Sequence, residues 1–252
     1  MCRMIAFASA TPQPVAPCLS QLARLSSEGI LVDRWTRHPG GNHPDGWGVA
    51  LWPPGGGPPR VIRGGKPANA DPALRALEGE ATSRFIGHVR FASNLSSVCE
   101  ANSHPFTVDG IVLCHNGTFK GAIGAEGDAR GVSDSLVFLE RLAARWPSGR
   151  TFEGLAGSLE ALLSDETLVG RYSAANCLIG EGGRLFAFRK SRHDHDYYAL
   201  YLRELPGGLA VASERLDDGP GWRELGEGEL VDLSAPAPRS TIVPLPAWNG
   251  RP

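Results

Sequence analysis

The chain opens with MCRMIAFASA (residues 1–10), a cysteine directly after the initiator methionine and then an apolar run whose only charge is Arg3. CRMIAFAS reads as a first β-strand, cut off by the prolines that follow. The same stretch makes a poor secretion signal, because its apolar part is short and breaks at Thr11-Pro12. Cysteine is small enough for Met1 to be trimmed, which would leave a thiol and a free α-amine on one carbon. A thiolate is a strong nucleophile. An α-amine titrates at about pH 8 and can take and return a proton near neutrality. The competing reading is a small apolar residue at the start of a strand, the commoner place for a cysteine.

Downstream, CLSQLARLSSEG predicts a short helix stopped by Gly29, and DPALRALEG a second, capped by Asp71 with Pro72 at its first position and Gly79 at its end. VALW and VIRGG flank a hairpin connection, PPGGGPPR. RFIGHVRFAS and GIVLCHNG read as strands ending in polar residues. SDSLVFLERLAARW predicts a helix capped by Ser133, with Leu136, Phe138, Leu139, Leu142 and Trp146 on its apolar face, and TFEGLAGSLEALL a helix after it. From SAANCLIG onward, short apolar runs alternate with glycine turns, the pattern of antiparallel strands. With no repeat, linker or composition shift, the simplest organisation is one α+β domain over residues 1–252, ending in a loose tail of about eight residues.

The 42% hydrophobic and 21% charged composition is that of a globular protein, and a net charge of −2 offers no basic field for nucleic acid or membrane. No apolar run reaches the length of about 20 residues that spans a bilayer. The five cysteines form no C-x-x-C pair, which speaks against a zinc site or disulfide framework and for a reducing cytoplasm. No P-loop, G-x-S-x-G or G-x-G-x-x-G occurs, and HDH (His193 to His195) is better explained as a polar turn than as a metal site. No cofactor or metal is expected.

Three further clusters carry polar residues where strands end or a helix begins. In GHVRFAS, Arg90 suits a bidentate grip on a carboxylate, with Ser93 beside it, although a lone arginine more often pairs with a surface acid. In VLCHNGTF, Asn116-Gly117 is either a turn or the two converging donors of an oxyanion hole. In GVSDSLVF, Ser133-Asp134 is ordinary helix capping, or Asp134 binds an ammonium group.

Read in order, Met-Cys, DGWG, His-x-Arg-x-x-Ser, His-Asn-Gly and Ser-Asp-Ser resemble a class II glutamine amidotransferase domain over essentially the whole chain. NSHPF (residues 102–106) and VASERLDDGPGWRELGEGELVDL (residues 211–233) resemble the small stand-alone branch of that family. The resemblance implies a four-layer αββα sandwich of the N-terminal-nucleophile hydrolase type, with Cys2 at the tip of a central strand. It assigns Cys2 as the nucleophile that forms a γ-glutamyl thioester, with its own α-amine as the base. Asn116 and Gly117 would hold the oxyanion, Arg90 with Ser93 the substrate α-carboxylate, and Asp134 the α-ammonium. His43, His88 and His115 are not required as bases, and HPDGWG would shape the pocket wall with Trp47 covering the site.

No synthase domain is expected after the glutaminase-like region. The expectations are therefore water as acceptor, ammonia passed to a separate synthase subunit, or a substrate other than glutamine. That last option resembles hydrolases that remove glutamate from γ-glutamyl thiol intermediates in ergothioneine-type synthesis. The rival outside enzymology is a non-catalytic γ-glutamyl-binding or partner module.

Overall fold

The computed structural model describes residues 2–32, 38, 40–234 and 239–246, so that Met1 and nearly all of the expected tail lie outside the described residues. In chain order the strands are β1 (Arg3–Pro14), β2 (Trp47–Leu51), β3 (Arg60–Gly64), β4 (Ala81–Val89), β5 (Phe106–Val108), β6 (Ile111–Gly117), β7 (Ala175–Glu181), β8 (Arg184–Phe188), β9 (Tyr201–Leu205), β10 (Gly208–Ala212), β11 (Arg223–Glu224), β12 (Glu229–Asp232) and β13 (Arg239–Ile242). The helices are α1 (Ala16–Glu28), α2 (Pro72–Arg75), α3 (Ala122–Arg130), α4 (Asp134–Arg145), α5 (Phe152–Leu163) and α6 (Glu166–Val169). One antiparallel sheet runs β11-β9-β10-β1-β4-β2-β3 and the other β13-β12-β8-β7-β6-β5.

Strand alternation builds the layers. On β1, Met4, Ala6 and Ala8 face the second sheet and pack with Ala50, Ile86, Val112, Leu178 and Ala187. Ile5 and Phe7 face the other way, joining Trp47, Val49 and Phe85 beneath Leu19, Leu22 and Leu25 of α1. On the far side of the second sheet, Ile111, Leu113, Ile179 and Phe186 pack under Phe138, Leu142, Leu155 and Leu159 of α4 and α5. Helix, sheet, sheet, helix is the four-layer αββα arrangement expected from the sequence.

Local differences have local causes. β1 does not stop at the prolines. Its ladder with β4 breaks between Ala8 and Gln13 and resumes at Gln13 opposite Thr82, so Pro12, which has no N–H to donate, falls in the break. Asp71 caps α2 as expected by accepting from Ala73 N–H at 3.0 Å, but the helix ends at Arg75 rather than at Gly79. Tighter i to i+3 bonds, such as Glu78 N–H to Arg75 O at 3.0 Å, take over there. Among the described residues no helix is long and apolar enough to cross a membrane.

Candidate active site

The site lies where β1 begins and where β4 and β6 end. Cys2 is 8% exposed and precedes β1, whose Arg3 pairs with Val89 of β4. Arg90 and Phe91 follow directly, and the Cys2 thiol donates to Phe91 O at a long 3.9 Å. From the other sheet, Asn116 accepts the Cys2 N–H on Oδ1 at 3.1 Å. That bond orients the Asn116 amide and leaves its Nδ2, buried, with no hydrogen-bond partner among the described residues. An unpaired buried amide donor is costly to keep unless a ligand oxygen meets it.

Gly117 completes the corner. Its φ is +154°, and a Cβ there would lie 1.9 Å from the Ala174 carbonyl oxygen. Gly117→Ala is therefore expected to lower stability by roughly 2–4 kcal/mol, through overpacking against backbone that cannot swing away. Urea denaturation of the variant and the parent measures this directly.

Arg90 is 6% exposed, with Nη1 donating to Ser97 O at 2.9 Å and Nη2 to Ser97 Oγ at 2.8 Å. Ser93 is exposed and shares a 3.1 Å hydroxyl contact with Thr118, the residue after Gly117. Asp134 opens α4; its Oδ2 accepts Phe119 N–H at 2.7 Å and its Oδ1 accepts Ser135 N–H at 2.8 Å. His115 ties the Asn116–Gly117 corner to that helix through Nδ1 and Ser135 Oγ, 2.9 Å apart. All six residues singled out in the sequence thus border the ends of β1, β4 and β6 and the start of α4.

Burial sets the protonation states. It raises the Cys2 thiol above its ordinary value, opposed in part by positive charge that includes Arg90, so the resting group is a thiol in need of a base. Burial also pushes His88 down to about 3, and lowers His43, His104 and His115. These imidazoles are neutral at pH 7. His43 bonds Leu25 O and the Tyr197 hydroxyl, while His88 and His104 face each other at 4.2 Å with no hydrogen-bond partner among the described residues.

Trp47 does not cover the site. It is fully buried on the α1 face of β2, and its Nε1 donates to Asp71 at 2.9 Å. The residue of DGWG that does reach the site is Asp45, which accepts Ala92 N–H at 2.8 Å and bonds His38 Nδ1. Arg3 also escaped the sequence reading. Wholly buried, it donates to the carbonyls of Ile30, Tyr197 and Ser213 and lies 3.9 Å over the Tyr197 ring. Ser213 of the VASERLDD segment braces the same strand, its Oγ accepting Met4 N–H at 2.9 Å. HDH is a polar bend, as expected, in which His195 Nδ1 meets Ser191 Oγ at 2.7 Å. No group of three or more potential metal ligands occurs among the described residues.

The family described as glutamine amidotransferases class-II matches residues 1–215. The chain belongs to the class II glutamine amidotransferases. Over 239 residues, 92% of this amidotransferase and 96% of the relative, it is 27% identical to the γ-glutamyl-hercynylcysteine sulfoxide hydrolase of Mycolicibacterium smegmatis. It is 31% identical over 196 residues to an uncharacterized protein of Methanocaldococcus jannaschii; that match takes in 71% of this chain but only about half, 52%, of the archaeal one. Among solved structures, a glutamine aminotransferase class-II domain protein from Silicibacter pomeroyi aligns with TM-score 0.64 at 22% identity, covering 97% of this chain and all of that one. The glutamine phosphoribosylpyrophosphate amidotransferase of B. subtilis aligns with TM-score 0.61 at 18% identity, covering 97% of this chain and 50% of that one. These two likenesses are of fold.

Proposed function

We propose that this amidotransferase hydrolyses the γ-amide of glutamine or of a γ-glutamyl compound through a thioester on Cys2. The observation that carries the reading is the Cys2 N–H bonded to Asn116 Oδ1, with the buried Nδ2 of the same amide unpaired among the described residues. Once Met1 is removed, the α-amine takes the thiol proton as Sγ attacks the γ-carbonyl carbon. The carbonyl oxygen gains charge and accepts from Asn116 Nδ2 and Gly117 N–H. Collapse of the intermediate expels the amine, which takes the proton back from the α-ammonium. Water then adds to the thioester, and its departing sulfur recovers a proton as glutamate leaves. Arg90, helped by Ser93, holds the substrate α-carboxylate and Asp134 its α-ammonium, so that binding energy remote from the neutral amide orients it.

With glutamine, the product ammonia passes to solution or to a separate synthase subunit, in a cytoplasmic setting. The near-full-length similarity to the mycobacterial hydrolase favours a second reading, a γ-glutamyl thiol-type intermediate of ergothioneine-like synthesis as substrate. Both readings use the same head group and the same thioester.

The test is glutamate release by Met1-processed protein from L-glutamine and, in parallel, from a γ-glutamylcysteine derivative. Release from the first supports a glutaminase; release from the second alone supports the thiol-intermediate reading. Protein that retains Met1 is expected to release none from either, because an amide nitrogen is no base. Full activity with Met1 attached would sink the mechanism. Processed protein that neither turns over nor acquires a Cys2 adduct from a glutamine-like electrophile would favour the non-catalytic module.

A further inference from the structure

We propose that Asn102 is a positioning residue that fixes Arg90 relative to Asp134, and so governs capture of the substrate's amino-acid head; this rests on the reading above that those two side chains grip that head. Asn102 is 5% exposed and ends the 3-10 turn Glu100–Asn102. Its Oδ1 accepts Ser133 N–H at 3.0 Å, and its Nδ2 donates to Ser97 O at 3.2 Å and to Gly131 O at 3.4 Å. Ser97 is the residue whose carbonyl and hydroxyl hold both Nη atoms of Arg90. Ser133 is the N-cap of α4, whose first residue is Asp134.

One planar amide therefore joins the Arg90 support to the Asp134 support. Ser97 and Ser133 belong to separate segments; a second, longer link runs from Ser93 to Thr118 and from Phe119 N–H to Asp134. Asn102 is itself fixed, its N–H donating to Cys99 O at 3.2 Å and the next residue's Oγ to Gly64 O at 3.1 Å. The chemistry calls for an amide. Two carbonyls need donors and one N–H needs an acceptor, which a carboxylate cannot satisfy and a longer glutamine would displace. A residue that holds the carboxylate site and the ammonium site at one separation acts on head-group binding, not on the thioester chemistry.

The experiment uses Asn102→Ala in Met1-processed protein, with whichever of the two substrates the wild type hydrolyses. KM is expected to rise roughly 10- to 100-fold, as for a misplaced binding group, with kcat kept within about threefold. Labelling of the Cys2 peptide by iodoacetamide, which ignores the head group, stays at the wild-type rate. Labelling by a diazoketone analogue of glutamine falls by the same factor as kcat/KM. A fall in kcat with KM unchanged, or a parallel fall in both labelling rates, would overturn the assignment and leave Asn102 a merely structural residue. Should the alanine variant not fold, Asn102→Asp keeps the shape and the acceptor for Ser133 but loses both donors, and the same split is expected of it. Wild-type protein inert to both substrates and to the diazoketone would overturn the γ-glutamyl reading itself, an outcome separate from any effect of Asn102.

Discussion

Cys2→Ala is expected to abolish glutamate release, by roughly 10⁴- to 10⁶-fold as for loss of other catalytic nucleophiles, while leaving the fold in place. The first half follows from chemistry. Among the described residues, Cys2 is the cysteine whose backbone N–H bonds the Asn116 amide. Cys114 and Cys177 lie in the core with thiols raised by burial, that of Cys18 is pushed up to about 12, and Cys99 is exposed. The second half follows from packing. The hydrogen bond of Cys2 Sγ among the described residues is the long one to Phe91 O, and the N–H bond to Asn116 survives in alanine. Removing one small side-chain atom under those conditions costs about 1 kcal/mol or less. Thermal melts of parent and variant within a few degrees, together with absent turnover, is the expected pair of results. Turnover in the alanine variant would remove Cys2 from the mechanism.

The second large effect is on acid stability. His88 and His104 are wholly buried, and none of their four ring nitrogens has a partner among the described residues. Their folded-state pKa values lie below that of a free histidine, to about 3 for His88. A histidine with a depressed folded value stabilises the fold fully above its unfolded value of about 6.5, and that stability is lost as pH falls towards the folded value. Between those limits the unfolded chain binds the proton and the folded chain does not. Each such group therefore costs about 1.4 kcal/mol of stability per pH unit. From pH 7 to pH 4, His88 alone removes about 3 kcal/mol, a large share of a typical domain's total, and the lowered His104 acts in the same direction. Unfolding free energies from urea titrations at a series of pH values are expected to fall steeply below about pH 6. In His88→Gln that slope should shrink by one proton's worth; an unchanged slope would show that His88 is already charged in the folded protein.

How much of this could be read from sequence depends on whether the signal was periodic. β1, β4, β6 and β7 are apolar runs bounded by glycine or polar residues, and α4 and α5 carry capping residues at their starts, so their existence was visible. β5 has three residues, too few for any period, and α3 holds two glycines between glycine caps and buries only Ile123 and Gly127, so nothing marked it as helical. The site divides in the same way. Cys2, Arg90, Asn116, Gly117 and Asp134 stand in compact motifs at strand or helix ends. Asn102 works through residues 5, 29 and 31 positions away, and a contact of that kind leaves no trace in spacing. Trp47 was misplaced because an aromatic in a glycine-rich loop looks like a lid. The register of β2 against β4, with Trp47 opposite Val89, turns it to the α1 side instead.

The layer between the sheets is rich in the smallest apolar side chains, with Ala6, Ala8, Ala50 and Ala187 among its members. Cys2 hangs from one sheet and Asn116 and Gly117 from the other, so the gap across which the proposed reaction would run is gauged by methyl groups well inside the protein. A bulkier residue at Ala6 would act as a wedge, prising thiol from amide without touching either. The reach of catalysis into the sequence therefore extends to alanines that no motif would mark.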